Sequence, residues 1–125
     1  MQPFVREAKG NKPYILVDYK EGHIKMKGVS HPENVFIFYN PVFQAIRDLA
    51  KSNVLKIVVD FQLEYFNTSS ARCIFLMLKE LKDLAVSGKN VNINWHYEEA
   101  DEDMLETGED FEELIEMTFN YIPEN

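Results

Sequence analysis

Three hydroxyl side chains in a row, Thr68, Ser69 and Ser70, follow Glu64-Tyr65-Phe66-Asn67 and precede Ala71-Arg72. Each can accept a phosphoryl group, and their setting favours one. Upstream, Val54-Leu55-Lys56-Ile57-Val58-Val59-Asp60-Phe61 is a mostly apolar, β-branched run that predicts a central strand. Downstream, Ala71 to Val86 has helical periodicity. The hydroxyls therefore fall at a helix N-terminus, where unpaired N–H groups and the positive end of the macrodipole favour an anion. Asn67, Thr68 and the serines are also ordinary N-caps, which satisfy the same N–H groups without any phosphate. A capping box would place Glu or Gln three residues after the cap, but Ala71 follows Thr68 at that spacing and Arg72 follows Ser69. Arg72, one turn beyond Thr68, is placed to form a charge-assisted pair with a phosphate on that hydroxyl.

The elements that must position these residues alternate between strand and helix. Tyr14-Ile15-Leu16-Val17-Asp18-Tyr19 and His23-Ile24-Lys25-Met26-Lys27 predict a hairpin through Lys20-Glu21-Gly22, with Phe4-Val5-Arg6-Glu7 as a short edge strand. Ser30-His31-Pro32-Glu33 has the capping-box pattern and predicts a helix to about Ser52, interrupted at Pro41, with Asn40 capping its second part. Val42, Ile46, Leu49 and Ala50 form the core face of that helix. The helix after the central strand presents Ile74, Met77, Leu78, Leu81 and Ala85 inward and ends at Gly88. Val91, Ile93, Trp95 and Tyr97 alternate with Asn92, Asn94 and His96, as in a half-buried strand. Thr107-Gly108-Glu109-Asp110 predicts the cap of a last helix with Phe111, Leu114 and Ile115 inward, and Phe119-Asn120-Tyr121-Ile122 closes the sheet. The expectation is one α/β domain over residues 1–125.

Charge is distributed unevenly. Residues 1–97 hold all 13 Lys and Arg against 9 acids, whereas residues 98–125 hold 12 acids and no Lys or Arg, for a net charge of −8. Such a field disfavours nucleic acid and favours basic protein surfaces, or simply keeps an acidic face solvated. No apolar run is long enough to span a bilayer and no signal-peptide pattern opens the chain. One cysteine, Cys73, allows no internal disulfide, and the expected compartment is the cytoplasm.

Catalytic constellations are mostly absent. Five scattered glycines make no phosphate-binding loop. His23, His31 and His96 lack metal-site spacing, Cys73 reads as a small core residue, and no cofactor is implied. Asp101-Glu102-Asp103-Met104-Leu105-Glu106 fails the calcium-loop register, since Glu106 stands where Gly is required. An acid/base enzyme using Glu98 or Asp101 near His96 finds no arguable substrate pocket. On the outer side of the second helix, Phe75 and Leu76 flank Arg72 at helical angles, a mixture of charge and apolar surface that suits a protein partner or packs under a neighbouring loop.

Taken together, Glu64-Tyr65-Phe66-Asn67-Thr68-Ser69-Ser70, Asn94-Trp95-His96-Tyr97-Glu98 and Asp101 to Asp110, with the start Ser30-His31-Pro32-Glu33-Asn34, resemble the SiaC family of bacterial regulatory phosphoproteins. The resemblance runs from about Tyr14 to Ile115. It implies a STAS-like mixed β-sheet backed by helices and a partner-switching role. A Ser/Thr protein kinase would phosphorylate Thr68, or the adjacent Ser69 or Ser70, and a metal-dependent phosphatase would reverse it. The unmodified form would bind and activate a diguanylate cyclase, raising cyclic di-GMP and favouring biofilm. The expected partner-binding residues are Asn67, Arg72, Phe75 and Leu76. Phe36-Ile37-Phe38-Tyr39, unusually apolar for a surface helix, points to a homodimer or to a target other than a cyclase. A constitutive acidic scaffold, with Thr68 only a cap, is the alternative.

Overall fold

The β-branched run at the centre of the chain becomes the middle of a six-stranded sheet whose strands lie in chain order. The computed structural model describes all residues, Met1–Asn125. Its elements are β1 (Phe4–Arg6), β2 (Tyr14–Asp18), β3 (His23–Ser30), α1 (Val35–Ala50), β4 (Lys56–Phe66), α2 (Thr68–Val86), β5 (Asn90–Glu98), α3 (Glu102–Ile115) and β6 (Phe119–Glu124). β1, β2 and β3 form an antiparallel meander, and β3 to β6 run parallel. Three successive crossovers step across the sheet in the same direction. With the right-handed connection that parallel strands require, all three helices fall on one face.

Strand alternation carries this arrangement. Ile15, Val17, Ile24, Met26, Ile57, Val59, Phe61, Ile93 and Trp95 are buried under the helices, and their neighbours Leu16, Lys25, Asp60, Asn94 and His96 line the uncovered face. Tyr39, Val42, Ile46 and Leu49 from α1 and Cys73, Ile74, Met77, Leu78 and Leu81 from α2 complete the core. Burial pushes the Cys73 thiol up despite nearby Arg72, consistent with an inert core side chain. At the β2–β3 turn Gly22 has φ +68°, and a Cβ there would meet the Lys56 carbonyl at 2.3 Å.

Four boundaries differ from the sequence reading. Ser30 does not open a helix: it ends β3 opposite Phe66, and α1 starts at Val35 behind Asn34, which makes no side-chain cap. Pro41 does not interrupt α1. Pro41 and Ile37, whose carbonyl its missing N–H would have met, both face solvent, so water can satisfy that carbonyl. Asn40 is consequently an exposed mid-helix residue. β4 continues five residues past Phe61 through a bulge, in which Gly28 pairs with Leu63 and Val29 with Tyr65. The extra residue, Glu64, shifts the alternation by one, turning Tyr65 outward and Phe66 inward onto Trp95 and Phe111.

α3 begins at Glu102, before the expected Thr107, because Asp101 Oδ1 accepts the Met104 amide at 3.0 Å. Thr107 instead donates to the Asp103 carbonyl inside the helix. Gly108 is a buried helical residue under the Trp95 indole, and Met104, Gly108, Phe111 and Ile115 face inward. Leu114 points outward, 67% exposed, because at helical spacing it falls off the stripe set by Met104, Gly108, Phe111 and Ile115.

Candidate functional site

The first turn of α2 stands at the C-terminal end of β4, where parallel α/β sheets commonly place their functional groups. Asn67 is its N-cap: Oδ1 accepts the Ser70 amide at 2.9 Å and the Asn67 carbonyl accepts the Ala71 amide at 2.9 Å. With the cap supplied by Asn67, the Thr68 hydroxyl is not needed by the helix. Thr68 and Ser69 are exposed, whereas Ser70 is 0% exposed and its Oγ lies 2.8 Å from Ser30 Oγ. The three hydroxyls are therefore not equivalent, and a kinase reaches Ser70 only by opening the helix start.

Electrostatics at this turn favour an added anion. No acid occupies the first turn to compensate the macrodipole. Arg72 is exposed one turn beyond Thr68, on the helix face that Thr68 shares.

The other expected contact residues are spread between surface and core. Phe75 and Leu76 are half-buried and pack against the hydrophobic core. Lys79 Nζ lies 5.6 Å from the Phe75 ring centroid. Leu76 borders a shallow groove of about 270 Å³ with Phe43, Arg47 and Glu80. The more exposed apolar groups lie elsewhere at the same end of the sheet: Phe36 (47%), Ile37 (70%) and Tyr65 (54%). The apolar run Phe36–Tyr39 is thus divided, with Phe36 and Ile37 outward and Tyr39 fully buried.

A polar cluster on the uncovered sheet face escaped sequence reading. Asp60 on β4 accepts from His23 Nε2 at 2.7 Å, from His96 Nε2 at 2.7 Å and from Asn94 Nδ2 at 3.0 Å. Burial alone would raise the Asp60 carboxyl, but these hydrogen bonds from His96, His23 and Asn94 outweigh it and hold the carboxyl below its usual value. Gln62 Nε2 donates to Glu124 at 3.0 Å, joining β4 to β6. No His, Cys, Asp or Glu group has the geometry to hold a metal ion. Asp101 does not join His96: His96 serves Asp60 and Asp101 caps α3. Glu98 lines the same cavity as His96, without a hydrogen bond to it. No helix is long and apolar enough to cross a membrane.

Comparison with known proteins places this geometry in context. The family described as SiaC family regulatory phosphoprotein matches residues 6–124. An uncharacterized protein of Pseudomonas aeruginosa (strain UCBPP-PA14) is 30% identical over 107 residues, covering 86% of this chain and 85% of that protein. The crystal structure of apo-SiaC from Pseudomonas aeruginosa is similar with a TM-score of 0.87 at 25% identity, covering 100% of both chains. A chain in the crystal structure of diguanylate cyclase SiaD in complex with its activator SiaC, from the same organism, gives a TM-score of 0.87 at 26% identity, covering 96% of this chain and 97% of that one.

Proposed function

Since this chain belongs to the SiaC family of regulatory phosphoproteins, we propose that it is a non-enzymatic partner switch whose target is a diguanylate cyclase and whose state is set by phosphorylation of Thr68. The observation that carries this reading is the division of labour in the first turn of α2. Asn67 caps the helix and Ser70 is buried, leaving Thr68 exposed at a positive helix end beside Arg72.

The unmodified protein binds the cyclase and activates it, as the relative named as an activator in complex with SiaD suggests. Cyclic di-GMP then rises and biofilm formation follows. Phosphorylation adds about −1.5 to −2 charges at a surface that otherwise offers exposed apolar groups to the partner. Arg72 offsets only part of a charge of that size, and the remainder cannot be desolvated unpaired, so the phosphorylated form releases the cyclase. A Ser/Thr kinase and a metal-dependent phosphatase set the balance. We place this exchange in the cytoplasm, where kinase and cyclase find their nucleotide substrates.

Ser69 is the adjacent acceptor, and Ser70 would serve only after local opening. Asn67, Arg72, Phe75 and Leu76 contribute to the contact surface together with Phe36, Ile37 and Tyr65. Intact-mass analysis and peptide mapping of protein isolated from its native cells test the modification. Phosphate on the Thr68 peptide is expected. Phosphate confined to another segment would displace the reading.

A further inference from the structure

Three buried hydroxyls are linked in series beneath the first turn of α2, apart from the exposed acceptor described above. Tyr39 from α1 hydrogen-bonds Ser30 at the end of β3 at 2.5 Å, and Ser30 hydrogen-bonds Ser70 in α2 at 2.8 Å. All three residues are 0% exposed. Ser30 and Ser70 are the buried polar residues of a core that is otherwise hydrophobic. Buried hydroxyls are tolerated when paired and are unfavourable otherwise, so this chain of three holds together or fails together.

Ser30 also acts through its backbone. Its carbonyl accepts the Asn67 amide at 3.1 Å. One residue thus grips the turn on both sides of the acceptor: the carbonyl holds Asn67, just before Thr68, and the hydroxyl holds Ser70, two residues after it. The bond from Asn67 Oδ1 to the Ser70 amide closes the ring. Thr68 and Ser69 form the exposed arch between the two anchored points. Each hydroxyl can donate one hydrogen bond and accept another, so Ser30 can pair with Tyr39 and with Ser70 at the same time.

We propose that Ser30, braced by Tyr39, is a positioning residue for the modification of Thr68, clamping the turn so that the acceptor hydroxyl is displayed at a fixed point. The clamp rests on the reading of Thr68 as the acceptor, but its geometry can be measured without any kinase. The experiment compares wild type with Ser30→Ala, Tyr39→Phe and Ser30→Thr in two arms. The first is amide hydrogen exchange on unmodified protein, and the second is the phosphate content of Thr68 in protein isolated from native cells.

In Ser30→Ala the Ser70 and Ala71 amides are expected to exchange at least about tenfold faster, while amides of the central strands, such as Val59 and Ile93, keep wild-type protection. Tyr39→Phe keeps the ring and should give a smaller acceleration at the same two amides. It remains informative if Ser30→Ala does not fold. Thr68 phosphate content should fall in the same order, and Ser30→Thr, which restores a hydroxyl, should recover both readouts. Unchanged exchange at Ser70 and Ala71 overturns the clamp. A loosened turn with wild-type phosphate content overturns the positioning role. Wild-type protein lacking phosphate at Thr68 would defeat the acceptor reading, while the exchange arm would still report whether the clamp exists.

Discussion

Asn67 Oδ1 accepts the backbone amide of Ser70 at 2.9 Å, so the cap of α2 is the residue before Thr68 and not Thr68 itself. The stabilising cap and the proposed phosphoacceptor are thereby neighbouring side chains. Asn67→Ala should cost about 0.5–2 kcal/mol. Thr68→Ala should lie within about 0.5 kcal/mol of wild type, as surface substitutions without a structural role do. Urea unfolding of both variants checks this. An equal loss in the two would return the cap to Thr68.

Asp60 gives the protein an acid-sensitive joint on its uncovered face. Its folded-state pKa is depressed below the ordinary value of 3.8, so its contribution is fully present above that value and is lost as pH falls through the lower folded-state value. Asp60→Asn removes the charge, leaving His23 without a carboxylate and His96 with only Glu124, 3.7 Å from its Nδ1. It should cost about 1–3 kcal/mol at neutral pH, and the difference from wild type should shrink as pH drops below the carboxylate range. Unfolding midpoints measured across that range decide the point, and a pH-independent difference would contradict it.

Gly108 leaves no room for a methyl group under Trp95: an added Cβ would stand 2.6 Å from the indole Cδ1 and Nε1. The indole is pinned in place by its bond to the Met104 carbonyl at 3.0 Å. Gly108→Ala should therefore destabilise by about 1–3 kcal/mol through overpacking, despite the better helix propensity of alanine. Tryptophan fluorescence would report the displaced ring together with the loss of stability. A gain in stability would mean that α3 yields freely.

The order of elements was legible in the sequence because the apolar periods of β2, β4, α2 and β5 are strong over their own lengths. Their ends were less so. Ser30-His31-Pro32-Glu33 matches a capping box locally, but pairing of Ser30 with Phe66 extends β3 instead. Thr107-Gly108 resembles a helix start, yet the glycine is there to admit Trp95. Thr68 and Arg72 could be singled out because the site lies within one turn of chain. The Asp60 cluster could not, since only the parallel register of β3, β4 and β5 brings His23 and His96 to one carboxylate. The inward half of Phe36–Tyr39 was hidden for a similar reason: Tyr39 is polar at its tip and finds Ser30 only in the folded chain.

Phe75 and Ile37 should behave oppositely. Phe75 is half-buried against the core, so Phe75→Ala should cost stability, about 1–3 kcal/mol by lost burial and packing. Ile37 is 70% exposed, so Ile37→Glu should leave stability nearly unchanged while weakening capture of the cyclase. Calorimetric titration beside thermal melts separates the effects. Unaltered binding by Ile37→Glu would remove the start of α1 from the contact surface.

The central claim is that phosphate at Thr68 turns partner binding off. Enzymatically phosphorylated and unmodified protein, matched in concentration, are titrated into the candidate diguanylate cyclase while cyclic di-GMP production is followed. The unmodified form is expected to activate the cyclase and the phosphorylated form to fail over the same range. Equal activation by both forms would contradict the switch and leave a constitutive scaffold in its place.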